Sequence, residues 1–344
     1  MAVPGFYSPV GLHPFSRMKR AWMVLCACFV SALSRAEILE LTKVVHKTKM
    51  NLADLPDDCI AAIISHTTPF DATRLARVCW AFKRAVEIDT AWENFLPSDY
   101  ESVCNKSWAE EEESSSSRRR SRSKKDIVMT MTKGLFLDQG FQKYVLLRRT
   151  RGVCRVLSVA AMNVAWVQDT RFWCWEQSRS SCFGKVAHLL AVCWLEISGQ
   201  WSCSLPPGSY TAVWRLRITN PQGGRKNFLS WKLPLTFCIS VGDDDGEDSA
   251  VERELSLSQI PSGGFEEWFE FAVGDIIIHS GVATSTTAKQ VCVAYSIRET
   301  DCTYWKGGLF VDCLTLRPSG CKEAVQPKLH DMELSKIRGR PGVF

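Results

Sequence analysis

The stretch Val164-Ala165-Trp166-Val167-Gln168-Asp169-Thr170-Arg171-Phe172-Trp173-Cys174-Trp175 crowds three indole rings around an amide, a carboxylate and a guanidinium. That combination suits a sugar. The face of an aromatic ring carries negative quadrupole density and takes the axial C–H groups of a pyranose. Neighbouring carboxylates and amides then bond its hydroxyls or an N-acetyl group. Trp166, Trp173 and Trp175 are the candidates for such a surface. A Trp at a strand–loop junction also serves as core, and spacing alone leaves both roles open.

Catalytic pairings are harder to find. His188 and Cys193 are close in sequence, but His188 falls in a helix-like stretch and Cys193 in a strand-like one. Cys193 therefore reads as a buried structural thiol. The sequence has no G-x-x-x-x-G-K-[ST], H-E-x-x-H or G-x-S-x-G. Asp243-Asp244-Asp245-Gly246-Glu247-Asp248 lacks the oxygen spacing of an EF-hand loop and reads as a solvated hairpin tip. No C-x-x-C occurs, and none of the six histidines flanks a Cys pair at zinc spacing. No catalytic residue, metal or other cofactor is expected, and the chain is not expected to be an enzyme.

The 344 residues suggest about two domains. With 46 % hydrophobic and 23 % charged residues the composition is globular, not disordered or coiled-coil. A net charge of +5 from 42 basic and 37 acidic residues is too balanced to imply nucleic-acid binding. The 15 cysteines are odd in number and irregularly spaced, which argues for reduced thiols in cytosol or nucleus over a disulfide framework. From Met18 to Ala36 a basic start, an apolar run and a small-residue end resemble a secretory signal. The apolar run is shorter than the roughly 20 residues of a membrane span. Because 17 residues precede Met18, the expectation is an apolar leader, with a secreted product as the alternative.

The elements that must position these residues fall into two regions. Residues 1–50 form the leader and 51–100 a set of short helices. Residues 104–126 run through Glu110 to Glu113, Ser114 to Ser117 and a basic cluster, and read as a solvated linker. From Lys143 the pattern turns to short strands rich in branched and aromatic residues. Trp214–Ile218, Val192–Ile197, Leu235–Val241, Trp268–Val273, Val291–Ile297 and Leu309–Leu316 are the strand candidates. The alternation slips by one near Cys313, which indicates a bulge. Arg179–Leu190 alone reads as a helix there, with Phe183, Val186, Ala187 and Leu190 on one face. The expected fold is α+β: a small three-helix unit, then an antiparallel β-sandwich, jelly-roll-like, with one helix, over 143–318, and a tail over 319–344.

Within 52–96, Pro56 suits the first turn of a helix, and Asp57 and Asp58 favour its positive end. Ile60, Ile63 and Ile64 form its apolar stripe; Asp71 can cap a second helix with Leu75 and Val78; Trp80, Phe82 and Val86 belong to a third; Trp92 and Phe95 close the unit. So small a unit has a poor core of its own, and a docked partner would relieve that. The segment resembles an F-box, on Leu55-Pro56, Ile60, Ile64, Leu75, Val78-Cys79 and Trp92. The resemblance implies docking on the Skp-type adaptor of a cullin–RING ubiquitin ligase, with Leu55, Pro56, Ile60, Ile64, Leu75, Val78 and Cys79 in or near the contact.

Residues 155–318 resemble the phloem protein 2-like (Nictaba-type) lectin domain of plants. The matching stretches include Leu157-Ser158, Trp166, Phe172 to Trp175, Val192 to Ile197 with Gly199, Tyr210, Trp268 with Glu270, Gly274-Asp275, and Lys306 to Leu309 through Arg317-Pro318. That resemblance implies a β-sandwich binding N-acetylglucosamine oligomers or N-glycan cores, with Trp166, Trp173 and Asp275 as carbohydrate-binding residues; the other seven of the nine Trp after residue 160 read as core. The chain departs from the family pattern at Ala160-Ala161, where an Arg-Asp pair is usual, and at Asp275, where Glu is usual. Together the resemblances imply a non-catalytic substrate-recognition subunit of an SCF-type ligase. Its partners would be a Skp-type adaptor, through it a cullin, and a target protein or glycan, with no nucleic acid or membrane partner. A stand-alone stress- or defence-related lectin is the alternative.

Overall fold

The computed structural model describes residues 52–112, 122–219, 231–242, 249–256, 267–279 and 288–323. The leader over 1–50, residues 220–230, the acidic run Asp243–Asp248 and most of the tail lie outside the described residues. The chain divides into two compact units. One holds the described residues up to Phe95 with Ser123–Lys125; the other holds Leu96–Arg122 and the described residues from Asp126 on.

The first unit is helical. A 3-10 turn over Leu52–Asp54 precedes α1 (Asp57–Ser65), α2 (Pro69–Leu75), α3 (Trp80–Val86) and α4 (Thr90–Glu93). Pro56 sits at the N-cap position rather than inside the first turn, and Asp57 and Asp58 follow in that turn. Asp57 takes a two-pronged contact from Arg84 of α3, at 2.8 and 3.0 Å, and this hydrogen bonding lowers its pKa. The cap of α2 is Thr68, not Asp71. The Thr68 hydroxyl accepts from the Asp71 N–H at 3.2 Å, the N-cap bond, and donates to the Asp71 carboxylate at 2.9 Å. A fourth helix, not foreseen, carries Trp92, whose indole N–H donates to the Val86 carbonyl at 2.7 Å and whose ring meets Phe95 edge-on at 5.7 Å. Ile60, Ile64, Ala85 and Trp92 are fully enclosed.

The linker expected over 104–126 is helical at both of its described ends, while residues 113–121 lie outside the described residues. α5 (Tyr100–Glu112) buries Val103, Cys104 and Ser107, and α6 (Lys124–Lys133) buries Ile127, Val128 and Met131. Apolar positions three and four apart outweigh the low-complexity composition on their flank. The strands follow: β1 (Leu135–Leu137), β2 (Gln142–Leu146), β3 (Val153–Ser158), β4 (Asn163–Val164), β5 (Trp173–Gln177), β6 (Lys185–Leu189), β7 (Leu195–Leu205), β8 (Gly208–Ile218), β9 (Leu235–Gly242), β10 (Ser249–Leu255), β11 (Phe269–Ile278), β12 (Lys289–Glu299) and β13 (Leu309–Pro318).

These strands pair antiparallel in two sheets. In one, β13 lies between β8, with β11 beyond it, and a second edge shared by β3 and β6. The other runs β10-β9-β12-β7-β4. Their inner faces meet at Trp214 and Phe271 from the first sheet and Phe237 and Tyr295 from the second, with ring centroids 4.7–6.3 Å apart. Gly199 of β7 sits opposite Tyr295, and a Cβ there would lie 2.5 Å from the tyrosine hydroxyl, so only glycine fits.

The expected helix over Arg179–Leu190 is a strand. β6 pairs with β5 in the register Trp173↔Leu189 to Gln177↔Lys185, after a turn in which Gly184 takes φ +77°. Val186, Ala187 and Leu189 are buried consecutively or nearly so. A short apolar run buried on both faces has no strand period to show, and its spacing imitates a helix. The bulge near Cys313 is present: the β13–β8 register shifts between Val311 and Cys313.

A helical docking face and an aromatic groove

In the helical unit the seven candidate contact residues separate by exposure. Ile60 and Ile64 are fully enclosed and belong to the core. Pro56 is exposed, Leu55, Leu75 and Cys79 are half-buried, and Val78 is 67 % exposed. Trp80 opens α3, the helix to which its spacing assigned it, and is 73 % exposed. It precedes Phe82 by two positions, off the stripe of Phe82, Ala85 and Val86, and that offset was the available signal. Lys83 lies over the Trp80 ring at 4.6 Å and leaves it open to solvent.

In the sandwich unit a groove of about 150 Å³ is lined by Trp166, Phe172, Val192, Cys193, Trp194 and Trp305. Three chain segments build it. The first is the β4–β5 connection. Trp166 stands there with φ +66°, a left-handed conformation that bulky residues rarely adopt, and its ring is 59 % exposed. The turn is closed by Asp169, whose N–H donates to the Trp166 carbonyl at 3.0 Å and whose carbonyl accepts from Phe172 and Trp173. Arg171 clamps the Asp169 carboxylate through Nε and a terminal nitrogen at 2.6 Å, and these bonds pull the Asp169 carboxyl down to about 2. The carboxylate is thus an acceptor throughout the physiological range.

The second and third segments are joined by one bridge. Val192 and Lys306 exchange backbone hydrogen bonds at 2.7 and 2.9 Å, which brings Trp194 and Trp305 to the same groove. Lys306 is 1 % exposed and fixes the turn before it. Its ammonium donates to the carbonyls of Cys193, Glu299 and Asp301 and pairs with the Glu299 carboxylate at 2.5 Å. The ring of Phe172 bridges the groove, 6.2 Å from Trp166 and 6.4 Å from Trp305. Glu196 stands beside Trp194, accepting from its indole N–H at 3.3 Å and from Arg298 at 3.2 Å. The lining of the groove is aromatic and apolar, and the Glu196 carboxylate stands beside it at Trp194; ring faces next to a carboxylate suit a saccharide.

The other sequence candidates fall elsewhere. Trp173 is 2 % exposed, and its indole N–H donates to the Ala165 carbonyl at 3.0 Å. It therefore cannot stack on a ligand; it holds the backbone that presents Trp166. Asp275 of β11 is exposed and accepts from the Thr211 hydroxyl at 2.5 Å. Its register runs through Thr211 of β8 to Arg317 of β13, whereas Trp305 precedes the Leu309 end of that strand. Eight residues of strand, roughly 26 Å, separate the two levels. Trp166 and Asp275 do not share a site. Trp194 and Trp305, expected in the core, are each 43 % exposed and line the groove.

Comparison with known proteins bears on both units. The family model for phloem protein 2 matches residues 152–318, and the F-box-like model matches residues 52–98. F-box protein PP2-A15 of Arabidopsis thaliana is 30 % identical over 284 residues, covering 78 % of this chain and 89 % of that protein. This chain belongs to the F-box PP2 family. F-box protein PP2-A11 of the same plant is 28 % identical over 284 residues, covering 79 % of this chain and 90 % of that protein. Among solved structures, TmCBM61 in complex with β-1,4-galactotriose matches at 15 % identity, covering 47 % of this chain and 86 % of that one, with a TM-score of 0.25. Family membership pairs an F-box with a phloem protein 2 lectin-like domain in one chain, an adaptor and lectin type of organisation. Among the described residues no helix is long and apolar enough to cross a membrane.

Proposed function

We propose that this chain is a substrate-recognition subunit of an SCF-type ubiquitin ligase, recruiting glycoprotein targets that carry N-acetylglucosamine. The observation that carries this reading is the pairing, within one F-box PP2 chain, of an apolar face exposed among the described residues and an open aromatic groove. On the first unit Val78 and Trp80 expose large apolar side chains and Pro56 is exposed too, and exposed apolar patches mark association sites. Leu55, Pro56, Leu75, Val78, Cys79 and Trp80 form the contact with the Skp-type adaptor, and Ile60 and Ile64 support them from within. On the second unit Trp166, Trp194 and Trp305 present ring faces to a sugar, and Asp169 and Glu196 accept its polar hydrogens. The chain itself performs no bond chemistry. It supplies proximity between the ligase and a lysine of its target. The reading places the protein in cytosol or nucleus, where adaptor and cullin reside.

The test is co-purification of the full chain with a Skp-type adaptor, run in parallel with Leu55→Ala/Pro56→Ala, and binding of the same preparations to immobilised N-acetylglucosamine oligomers. The wild type is retained by both ligands, and the double variant keeps sugar binding while losing the adaptor. Equal adaptor recovery from both proteins refutes the assigned docking face; no retention on any oligomer refutes the sugar assignment.

A further inference from the structure

We propose that Cys174, Glu176 and His188 form a zinc-binding site on the β5–β6 pair of the first sheet, independent of the aromatic groove. The register of β5 and β6 places Cys174 directly opposite His188, and Glu176 is two residues along on the same face as Cys174. Three ligand types therefore converge without any sequence motif, because the spacing that matters crosses between strands. The Cys174 Sγ lies 3.5 Å from the His188 Nδ1 and 3.8 Å from the Glu176 Oε1, and the last two atoms are 2.6 Å apart. A tetrahedral ion with bonds of about 2.3 Å to sulfur and 2.0–2.1 Å to nitrogen and oxygen sets its ligand atoms roughly 3.3–3.6 Å apart. The two sulfur distances already meet that triangle within a few tenths of an ångström. Only the carboxylate must withdraw from the imidazole, by less than about 1 Å.

The surroundings hold these ligands in place. The His188 ring is stacked on Phe310 with centroids 3.8 Å apart, which fixes the direction of Nδ1. Arg217 approaches the other oxygen of Glu176, Oε2, at 3.9 Å and lies over the same Phe310 ring at 3.7 Å. Oε1 is thereby aimed at the sulfur and the imidazole while Oε2 is occupied, the outer-shell arrangement that tunes bound metals. Thiolate and carboxylate bring two negative charges that balance the divalent ion, and Arg217 adds one positive charge on the Oε2 side of Glu176. The Glu176 side chain is 41 % exposed, which leaves an entry path and a fourth position open to water. A thiolate with imidazole selects zinc or another borderline ion over magnesium or calcium. On ligation the Cys174 thiol releases its proton to solvent.

Cobalt(II) reports directly on this site, because thiolate ligation gives an absorption that imidazole and carboxylate ligation do not. The purified full chain, titrated with cobalt(II) alone, is expected to develop that thiolate band and to lose it on addition of zinc. Cys174→Ser is expected to abolish the band. His188→Gln and Glu176→Gln are expected to weaken cobalt affinity by more than about tenfold. Cys302→Ser, which removes an exposed thiol elsewhere, is expected to leave it unchanged. Should Cys174→Ser misfold by circular dichroism, the exposed Glu176→Gln variant carries the test. Absence of the band, or a band indifferent to Cys174→Ser or to Glu176→Gln, overturns the proposal.

Discussion

Asp312 is the extra residue of the β13 bulge, and its carboxylate meets the guanidinium of Arg215 at 2.6 Å with neither group open to solvent. The Ser181 hydroxyl donates to the same carboxylate at 2.5 Å. The bulge lets Asp312 turn out of the strand's alternation and face Arg215 on the adjacent β8. Removing one member of a buried pair leaves the other charged and unsolvated, at about 3–5 kcal/mol, whereas replacing both by apolar residues is often neutral. Asp312→Asn is therefore expected to lower unfolding free energy by about that amount, and Asp312→Leu with Arg215→Met to recover most of it. Urea denaturation of the full chain measures both; a loss under about 1 kcal/mol in Asp312→Asn contradicts the pairing.

Substitutions in the helical unit can separate the proposed docking face from the fold. Val78→Asp and Trp80→Ala change side chains that stand mostly in solvent, so each is expected to leave the melting transition within about 0.5 kcal/mol of wild type. Each is also expected to weaken adaptor binding by about tenfold or more, as loss of an interface anchor does. Ile60→Ala empties a fully enclosed position and is expected to cost about 2–5 kcal/mol of stability. Calorimetric titration with the adaptor, read beside thermal melts, distinguishes the two classes. A Val78→Asp protein that binds normally places the contact elsewhere.

How far the sequence led is seen at particular residues. The sequence carries a record of β8 in the alternation of Trp214, Leu216 and Ile218, and of the β13 bulge in the slip at Cys313, although Arg215, read as part of the polar face, is itself buried against Asp312. Val186 and Ala187 left no such record, being buried in succession, and their segment read as a helix. The docking face was half visible: helical spacing identified Ile60 and Ile64 as apolar but could not say that they face inward while Trp80 faces out. The groove was visible only at Trp166. Trp194 and Trp305 reach it through the Val192–Lys306 bridge, a pairing 114 residues apart that no local pattern encodes. Asp275 shows the converse, since position in a family motif does not fix distance across a twisted sheet.

The two tryptophans first singled out together now predict opposite results. Trp166→Ala removes an exposed ring and is expected to abolish retention on N-acetylglucosamine oligomers while leaving the melt nearly unchanged. Trp173→Ala deletes a ring that is 2 % exposed and bonded to Ala165, and is expected to cost about 3–5 kcal/mol. Trp305→Ala is expected to follow Trp166→Ala. Sugar binding retained in both Trp166→Ala and Trp305→Ala removes the groove from consideration.

Lys143 makes a prediction about pH. It lies in β2 at 1 % exposure, with its ammonium 4.9 Å from the Phe136 ring and the Cys182 and Cys313 thiols nearby. Burial pushes its pKa below the ordinary 10.5, because the charged form loses its hydration. A lysine so shifted binds fewer protons folded than unfolded, so its contribution to stability rises with pH between the folded pKa and 10.5. Below that window both states carry the charge and the burial cost is borne in full. Tyr144 and Tyr210 act with the opposite sign above pH 10, since burial raises both of their pKa values. The comparison must therefore be between variants. Lys143→Met keeps the apolar stem and removes the charge, so it is expected to be at least as stable as wild type at neutral pH, and its advantage is expected to shrink as pH approaches 10.5. Urea midpoints of both proteins from pH 7 to 10 provide the measurement. An advantage that grows with pH would show that the Lys143 ammonium is stabilised by its surroundings.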